Sequence, residues 1–470
     1  MRADPGSFRD PANRVYLRSG DDGAARVLRG VDAATLDNYR ALSQQTFFQD
    51  FQSAGKIIAT REITSGADHA AITGDGWAGV LAHDTVPFIS YPYEWTFSML
   101  RDAALLQLEL TETCLENGWT LKDATPFNIQ FVNARPVFID LPSFEPHEDG
   151  TPWVGYRQFC SMFLTPLLLR AHLDIDPAPL MRSYLDGIPP MEAVKFFPGA
   201  KRFKPGVLSH IVLPAKVEAN ILKSERDAVD AKRREPRKQS EAMVVGLVQS
   251  LRRLVAKLDY GIKHTDWSHY DRTHSYAEAE HDEKQAFCAR HASSKRRGHV
   301  WDIGCNTGTF SRIAAPHADM VLSLDGDHDA VEQLYLRERE SGTSNLLPMV
   351  MNLANISPAQ GWAGQERAAL DGRASPDLVF VLALIHHTRI GANIPNALFL
   401  DWLRSLDAEV VIEFVTRQDE MVVKLLTNKT EQYADYTLAQ FVAECEARFT
   451  ITDRQKLKGG KREIFHLSPR

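Results

Sequence analysis

Cysteine is scarce and unpatterned here. Five residues, at 114, 160, 288, 305 and 445, are scattered through 470 positions, and none forms a C-x-x-C pair. That spacing gives neither a disulfide framework nor a zinc ligand set, so reduced thiols in a cytoplasmic setting are expected. Long apolar runs are missing too. The most apolar stretch, 159–173, falls short of the roughly 20 residues that span a bilayer and contains Arg170 and His172. It is expected to be a buried helix. The first ten residues, MRADPGSFRD, carry charges and no apolar core, so no secretory signal is expected. There is no excess of positive charge. The net charge is -7, so no overall basic field draws nucleic acid or an anionic membrane. No internal repeat is visible.

What is present is ordinary for a soluble globular chain, 44% hydrophobic and 24% charged. A length of 470 residues exceeds what one hydrophobic core normally serves, so more than one domain is expected. The patterning divides the chain into an α+β region over 1–205, a helical connector with a charged stretch over 206–262, and a Rossmann-like α/β domain over 263–470. Within 225–241, the run Lys232 to Lys238 reads as a solvated linker. A basic contact for RNA or another anionic partner is the alternative.

The run Val300-Trp301-Asp302-Ile303-Gly304-Cys305-Asn306-Thr307-Gly308 predicts a buried strand, a tight glycine turn and a helix start. Such a turn at the end of a first strand is where doubly wound sheets bind nucleoside-containing ligands. A second apolar strand, Met320 to Leu324, ends in Asp325. A carboxylate there can accept hydrogen bonds from both hydroxyls of a ribose. The turn reads G-x-N-x-G, not the G-x-G-x-x-G that cradles a pyrophosphate. A ribose-bearing ligand without phosphate fits that difference. Glycine turns with a downstream acid also occur in dinucleotide enzymes, which is the bland alternative.

With these residues, and with M-N-L-A-N at 351–355 and D-L-V-F-V-L-A-L-I-H-H at 377–387, the last 200 or so residues resemble the class I S-adenosylmethionine-dependent methyltransferases. The resemblance implies that Gly304, Cys305, Asn306 and Gly308 wrap the methionine part of S-adenosylmethionine. Asp302 would reach its amino group, Asp325 would hold the ribose, and Asn352 would face the adenine. The layout is similar to that of some multidomain bacterial methyltransferases of polysaccharide or nodulation-signal pathways. No N-P-P-Y motif and no P-C nucleophile appears, which argues against DNA bases as acceptors. A small molecule or a glycan is the expected acceptor, at oxygen or nitrogen.

An acceptor that carries a proton benefits from a base. His386 and His387 follow the strand 379–385 and have the right intrinsic pKa, so one of them is the candidate base. Packing beside the adenosine is the alternative. Glu413 lies in the next apolar strand, where a carboxylate needs a partner. It either lines the acceptor pocket or satisfies nearby backbone. The aromatic stretch 267–276, with Lys284 beyond it, either caps the cofactor or belongs to the core.

The first half holds a second constellation. Asp123, Asn128 and Asp140 lie on a loop and at a strand end, separated by a hairpin turning at Asn133-Ala134-Arg135. Phosphoryl transfer uses such a set, one Asp as base and the Asn and second Asp on magnesium. The stretch resembles the catalytic and metal loops of protein kinases and aminoglycoside-kinase-like phosphotransferases, with Lys56 as the phosphate-pairing lysine. It departs from them in lacking the His before Asp123, the Phe-Gly after Asp140 and a glycine-rich loop. A degenerate kinase-like domain is therefore expected. A bifunctional enzyme using ATP and magnesium and a non-catalytic adenosyl-binding protein are the alternatives to a plain methyltransferase.

Overall fold

The computed structural model describes residues 1–19, 25–227, 239–262, 278–342, 345–427 and 430–470. The chain divides into two compact units. The first comprises Met1–Phe131, Arg135–Gly261 and Gly361–Glu366, and the second Val132–Ala134, Ile262–Gln360 and Arg367–Arg470.

The first unit opens with strands β1 (Arg2–Ala3), β2 (Asn13–Ser19), β3 (Ala25–Val31), β4 (Thr60–Ile63) and β5 (Gly79–His83). They form one antiparallel sheet in the order β1-β2-β3-β5-β4. Helices α1 (Ala33–Ser43) and α2 (Thr46–Ser53) lie between β3 and β4. Asp32 caps α1 by accepting from the Thr35 amide, the usual role of an N-terminal acid. Residues 85–89 read as a strand, yet the strand lies earlier, at β5. Pro87 cannot donate to a ladder, whereas every residue of β5 is buried.

Next comes α3 (Phe97–Glu116), which Thr96 caps. Its many buried residues, among them Met99, Ala103, Leu106 and Leu110, make it the central helix of this unit. Short strands β6 (Trp119–Leu121) and β9 (Phe144–Pro146) pair around the hairpin of β7 (Ile129–Val132) and β8 (Arg135–Phe138). Asn133 and Ala134 both have positive φ, as a two-residue hairpin turn requires. The apolar run 159–173 is a buried helix with one wide turn at Cys160–Leu164. Part of the expected connector is helix α4 (Glu241–Ala256), which lies along α3 inside the first unit.

The second unit is a seven-stranded sheet. Its strands are β10 (Arg297–Ile303), β11 (Ala318–Asp325), β12 (Leu346–Val350), β13 (Leu378–Val381), β14 (Glu409–Val415), β15 (Phe449–Lys456) and β16 (Arg462–Pro469). The order is β12-β11-β10-β13-β14-β16-β15. The first five run parallel and β16 inserts antiparallel beside β14. The parallel strands are buried almost throughout, as expected for a sheet covered on both faces. Helices α5 (Glu278–Ala292), α6 (Thr309–Ala314), α7 (His328–Ser341), α8 (Asn396–Ser405) and α9 (Leu438–Glu446) accompany them. The strand order reverses between β10 and β13, so the crevice at their carboxyl ends is the ligand edge. This is the Rossmann-like α/β arrangement expected from the sequence.

Candidate active site

The site is built where β10 ends. Val300 to Ile303 are buried, then the chain turns through Gly304 at φ 81°, Asn306 at φ 49° and Gly308 at φ 83°. Two features make glycine necessary at 308. Its backbone is left-handed, and a Cβ there would lie 2.5 Å from Leu334 Cδ1 on α7. The amides of Gly304 and Cys305 both donate to the Leu324 carbonyl, at 2.7 and 3.0 Å. The turn is thus tied to the strand that delivers Asp325. Cys305 is buried, and burial holds its thiol well above the usual range.

Asp325 ends β11. Its Oδ2 accepts from the Asn306 amide and its Oδ1 from the Asp327 amide, each at 2.8 Å. A carboxylate oxygen takes two donors, so these bonds leave acceptor capacity for a ligand. Asp302 lies in the floor, fully buried, and its Oδ2 accepts from Ser311 Oγ at 2.6 Å. Ser323 Oγ in turn donates to Ser311 Oγ at 2.8 Å. Burial pushes the Asp302 carboxyl up to about 6, with the Asp325 charge adding to the rise. Burial likewise raises Asp325. Among the described residues neither acid forms an ion pair. Two carboxylates without an ion pair among the described residues, beside a glycine turn, suit a ligand with a cationic end and a vicinal diol. S-adenosylmethionine has both.

Asn352 is exposed, and its Oδ1 accepts from the Ala354 amide at 2.9 Å. The neighbouring Met351 amide donates to the Asp325 carbonyl at 2.7 Å, which keeps this segment beside Asp325.

The turn after β13 carries the histidines. His386 is 1% exposed and His387 is half-buried, with their ring centroids 4.2 Å apart. Nδ1 of His386 has no hydrogen-bond partner among the described residues. Burial, then the neighbouring His387 and Lys284, push His386 well below its ordinary value, and burial lowers His387. Both rings are neutral near pH 7, the state in which an imidazole accepts a proton.

Glu413 is fully buried at the end of β14 and has three partners. Its Oε2 receives the Ala383 amide at 2.7 Å and Lys284 Nζ at 2.6 Å, and its Oε1 lies 3.3 Å from Arg462 Nη1. Arg462 also binds Asp419 at 2.9 Å. The sequence shows that Glu413 needs a partner. It does not show which, because the partners come from α5 and β16. The aromatic stretch 267–276 and the basic run 232–238 lie outside the described residues.

In the first unit Asn128 and Asp140 come together, Nδ2 of Asn128 donating to Asp140 Oδ2 at 3.3 Å. Burial, and next the charge of Asp140, raise the Asp123 carboxyl. The cation beside Asp140 is Arg29 of β3. Arg29 Nη1 donates at 2.9 Å to both Asp140 Oδ1 and Asn13 Oδ1, while Lys56 pairs with Glu109 on α3 at 2.7 Å. A guanidinium and an amide thus each take one acceptor position on the carboxylate expected to hold magnesium, and ATP with magnesium finds no support here.

No family model matches the chain. Over 463 residues it is 32% identical to nodulation protein NoeA of Rhizobium meliloti (strain 1021), covering 98% of this chain and 94% of the relative. Among solved structures, N-methyltransferase NodS from Bradyrhizobium japonicum WM9 overlaps 41% of this chain and 97% of its own, with 14% identity and a TM-score of 0.30. Magnesium protoporphyrin IX methyltransferase (ChlM) from Synechocystis PCC 6803, with bound SAH, overlaps 45% of this chain and 90% of its own, with 14% identity and a TM-score of 0.30. The strand order, rather than these overlaps, carries the fold. By its match to a full-length relative, the chain belongs to the family of nodulation protein NoeA.

Proposed function

We propose that this chain is an S-adenosylmethionine-dependent methyltransferase acting on an oxygen or nitrogen of a small-molecule or glycan-type acceptor. The observation that carries the reading is Asp325, held to the glycine turn by the Asn306 amide with lone pairs left for a ribose. When bound, S-adenosylmethionine supplies an electrophilic methyl group on a sulfonium that departs uncharged. The protein's part is to align the acceptor, exclude water and take a proton. His386 is assigned as the base. Burial holds its imidazole neutral at neutral pH, the form that can accept a proton.

On this reading the first unit carries no phosphotransfer, because the Arg29 guanidinium neutralises the Asp140 carboxylate on which a magnesium ion would rest. The test is calorimetric titration of the full chain with S-adenosylhomocysteine and, separately, with ATP and magnesium. Heat is expected with the first alone. A silent titration with S-adenosylhomocysteine, or tight binding of a dinucleotide, overturns the proposal.

The pH dependence of that binding follows from Asp302. Its carboxyl titrates near 6 in the folded chain, above the usual Asp value of about 3.9. Ionising it therefore costs folding stability as pH rises from about 4 to 6, and that cost persists above 6. A cationic amino group placed against the ionised carboxylate offsets the cost. Affinity for S-adenosylhomocysteine should be flat above pH 6 and fall about tenfold per unit below it. Affinity that stays constant down to pH 5 separates Asp302 from the ligand.

A further inference from the structure

We propose that Lys284 and Glu413 are positioning residues for methyl transfer: their ion pair fixes the left-handed turn at Ala383 and thereby sets where His386 stands. This rests on the reading of His386 as the base. Ala383 has φ 49°, a left-handed conformation that is strained for a residue with a Cβ. The turn it begins runs straight to the histidines, with the His387 and Thr388 amides donating to the Leu384 carbonyl at 2.9 and 3.1 Å. Leu384 also closes on the cofactor turn, since a Cβ on Gly304 would lie 3.4 Å from Leu384 Cδ1. The strained turn is held by one side chain. Glu413 Oε2 receives the Ala383 amide at 2.7 Å, and Lys284 Nζ sits on that same oxygen at 2.6 Å.

A merely structural ion pair has no reason to converge on the amide of a strained residue. This pair also reaches the cofactor side. Lys284 Nζ lies 4.9 Å from the centroid of the Phe310 ring, in the first turn of α6. The Lys284 charge is felt at both Asp302 and His386. A fully buried carboxylate holds its charge only beside cations. Of the two available, Arg462 is shared with Asp419. Lys284, on the same oxygen as the Ala383 amide, is therefore the partner that keeps that oxygen aimed at Ala383. Among the described residues, the charged and titratable groups that act on His386 are His387 from its own turn and Lys284 from α5; Lys284 in turn pairs with Glu413 of β14, which Arg462 of β16 also contacts.

The test is amide hydrogen exchange at Ala383 together with the imidazole titration of His386 by NMR, in the full chain. Lys284→Met should speed exchange at Ala383 about tenfold or more while the amides of β10 and β11 keep their protection. It should also move the His386 titration upward, because a positive neighbour is lost. Lys284→Arg should restore both. Glu413→Gln keeps an acceptor oxygen and should give intermediate exchange. Should Lys284→Met fail to fold, the double variant Lys284→Met/Glu413→Gln removes both charges and is expected to show the same fast exchange. Exchange and titration equal to wild type in a folded variant overturn the proposal. Wild-type protein that does not bind S-adenosylhomocysteine instead overturns the methyltransferase reading beneath it.

Discussion

Asp325→Ala should weaken binding of S-adenosylhomocysteine by about a hundredfold or more. Hydrogen bonds to a charged group contribute about 1.5–3 kcal/mol each, a ribose offers two, and about 1.4 kcal/mol is a factor of ten. The substitution also removes the tether to the Asn306 amide, which loosens the glycine turn. Stability without ligand should change far less. Burial raises the Asp325 carboxyl, so its ionised form costs the folded state at neutral pH, and that cost disappears with the side chain. Large loss of binding with small loss of stability marks a residue kept for its ligand. Asp325→Asn, which retains one acceptor oxygen, should fall between wild type and Ala. Calorimetry and thermal melts on the three proteins decide the matter. An affinity for Asp325→Ala within about threefold of wild type, below the worth of a single such bond, removes Asp325 from the site.

Arg462→Met should show the opposite signature, a large loss of stability. Its guanidinium is nearly buried between Glu413 and Asp419. Breaking a buried pair by removing one partner costs about 3–5 kcal/mol, because a charge is left uncompensated. Here two carboxylates lose a cation, and Lys284 alone remains for Glu413. A lower denaturant midpoint at unchanged slope is the expected readout. Arg404→Ala is the control. It breaks a pair with the highly exposed Asp407, and such pairs contribute at most about 1 kcal/mol. If the two variants lose similar amounts, the buried network is not what holds this edge of the sheet.

The parts of the fold legible in the sequence were those fixed by neighbours along the chain. The turn at 304–308 shows because four buried residues precede a pair of glycines, and Asp325 shows because an apolar strand stops there. Helix 97–116 and the hairpin at 129–138 show for similar reasons, an apolar periodicity ended by Gly118 and a two-residue turn at Asn133-Ala134. What stayed hidden was set by distant partners. Arg29 and Asp140 are 111 residues apart, and nothing in the local pattern of either pairs them. Glu413 and Arg462 are 49 apart. Each reads alone as a charge in an apolar strand, and only the antiparallel insertion of β16 beside β14 brings them face to face. Residues 85–89 misled in another way. Their composition suits a strand, but a single proline forbids the ladder.

Nδ1 of His386, without a partner among the described residues, has a consequence for the ring's tautomer. Where an acid grips one ring nitrogen, it dictates which tautomer exists and so which atom can collect a proton. Among the described residues no such grip exists at Nδ1, and on the proposed reading of His386 as the base the choice of tautomer falls to the arriving acceptor.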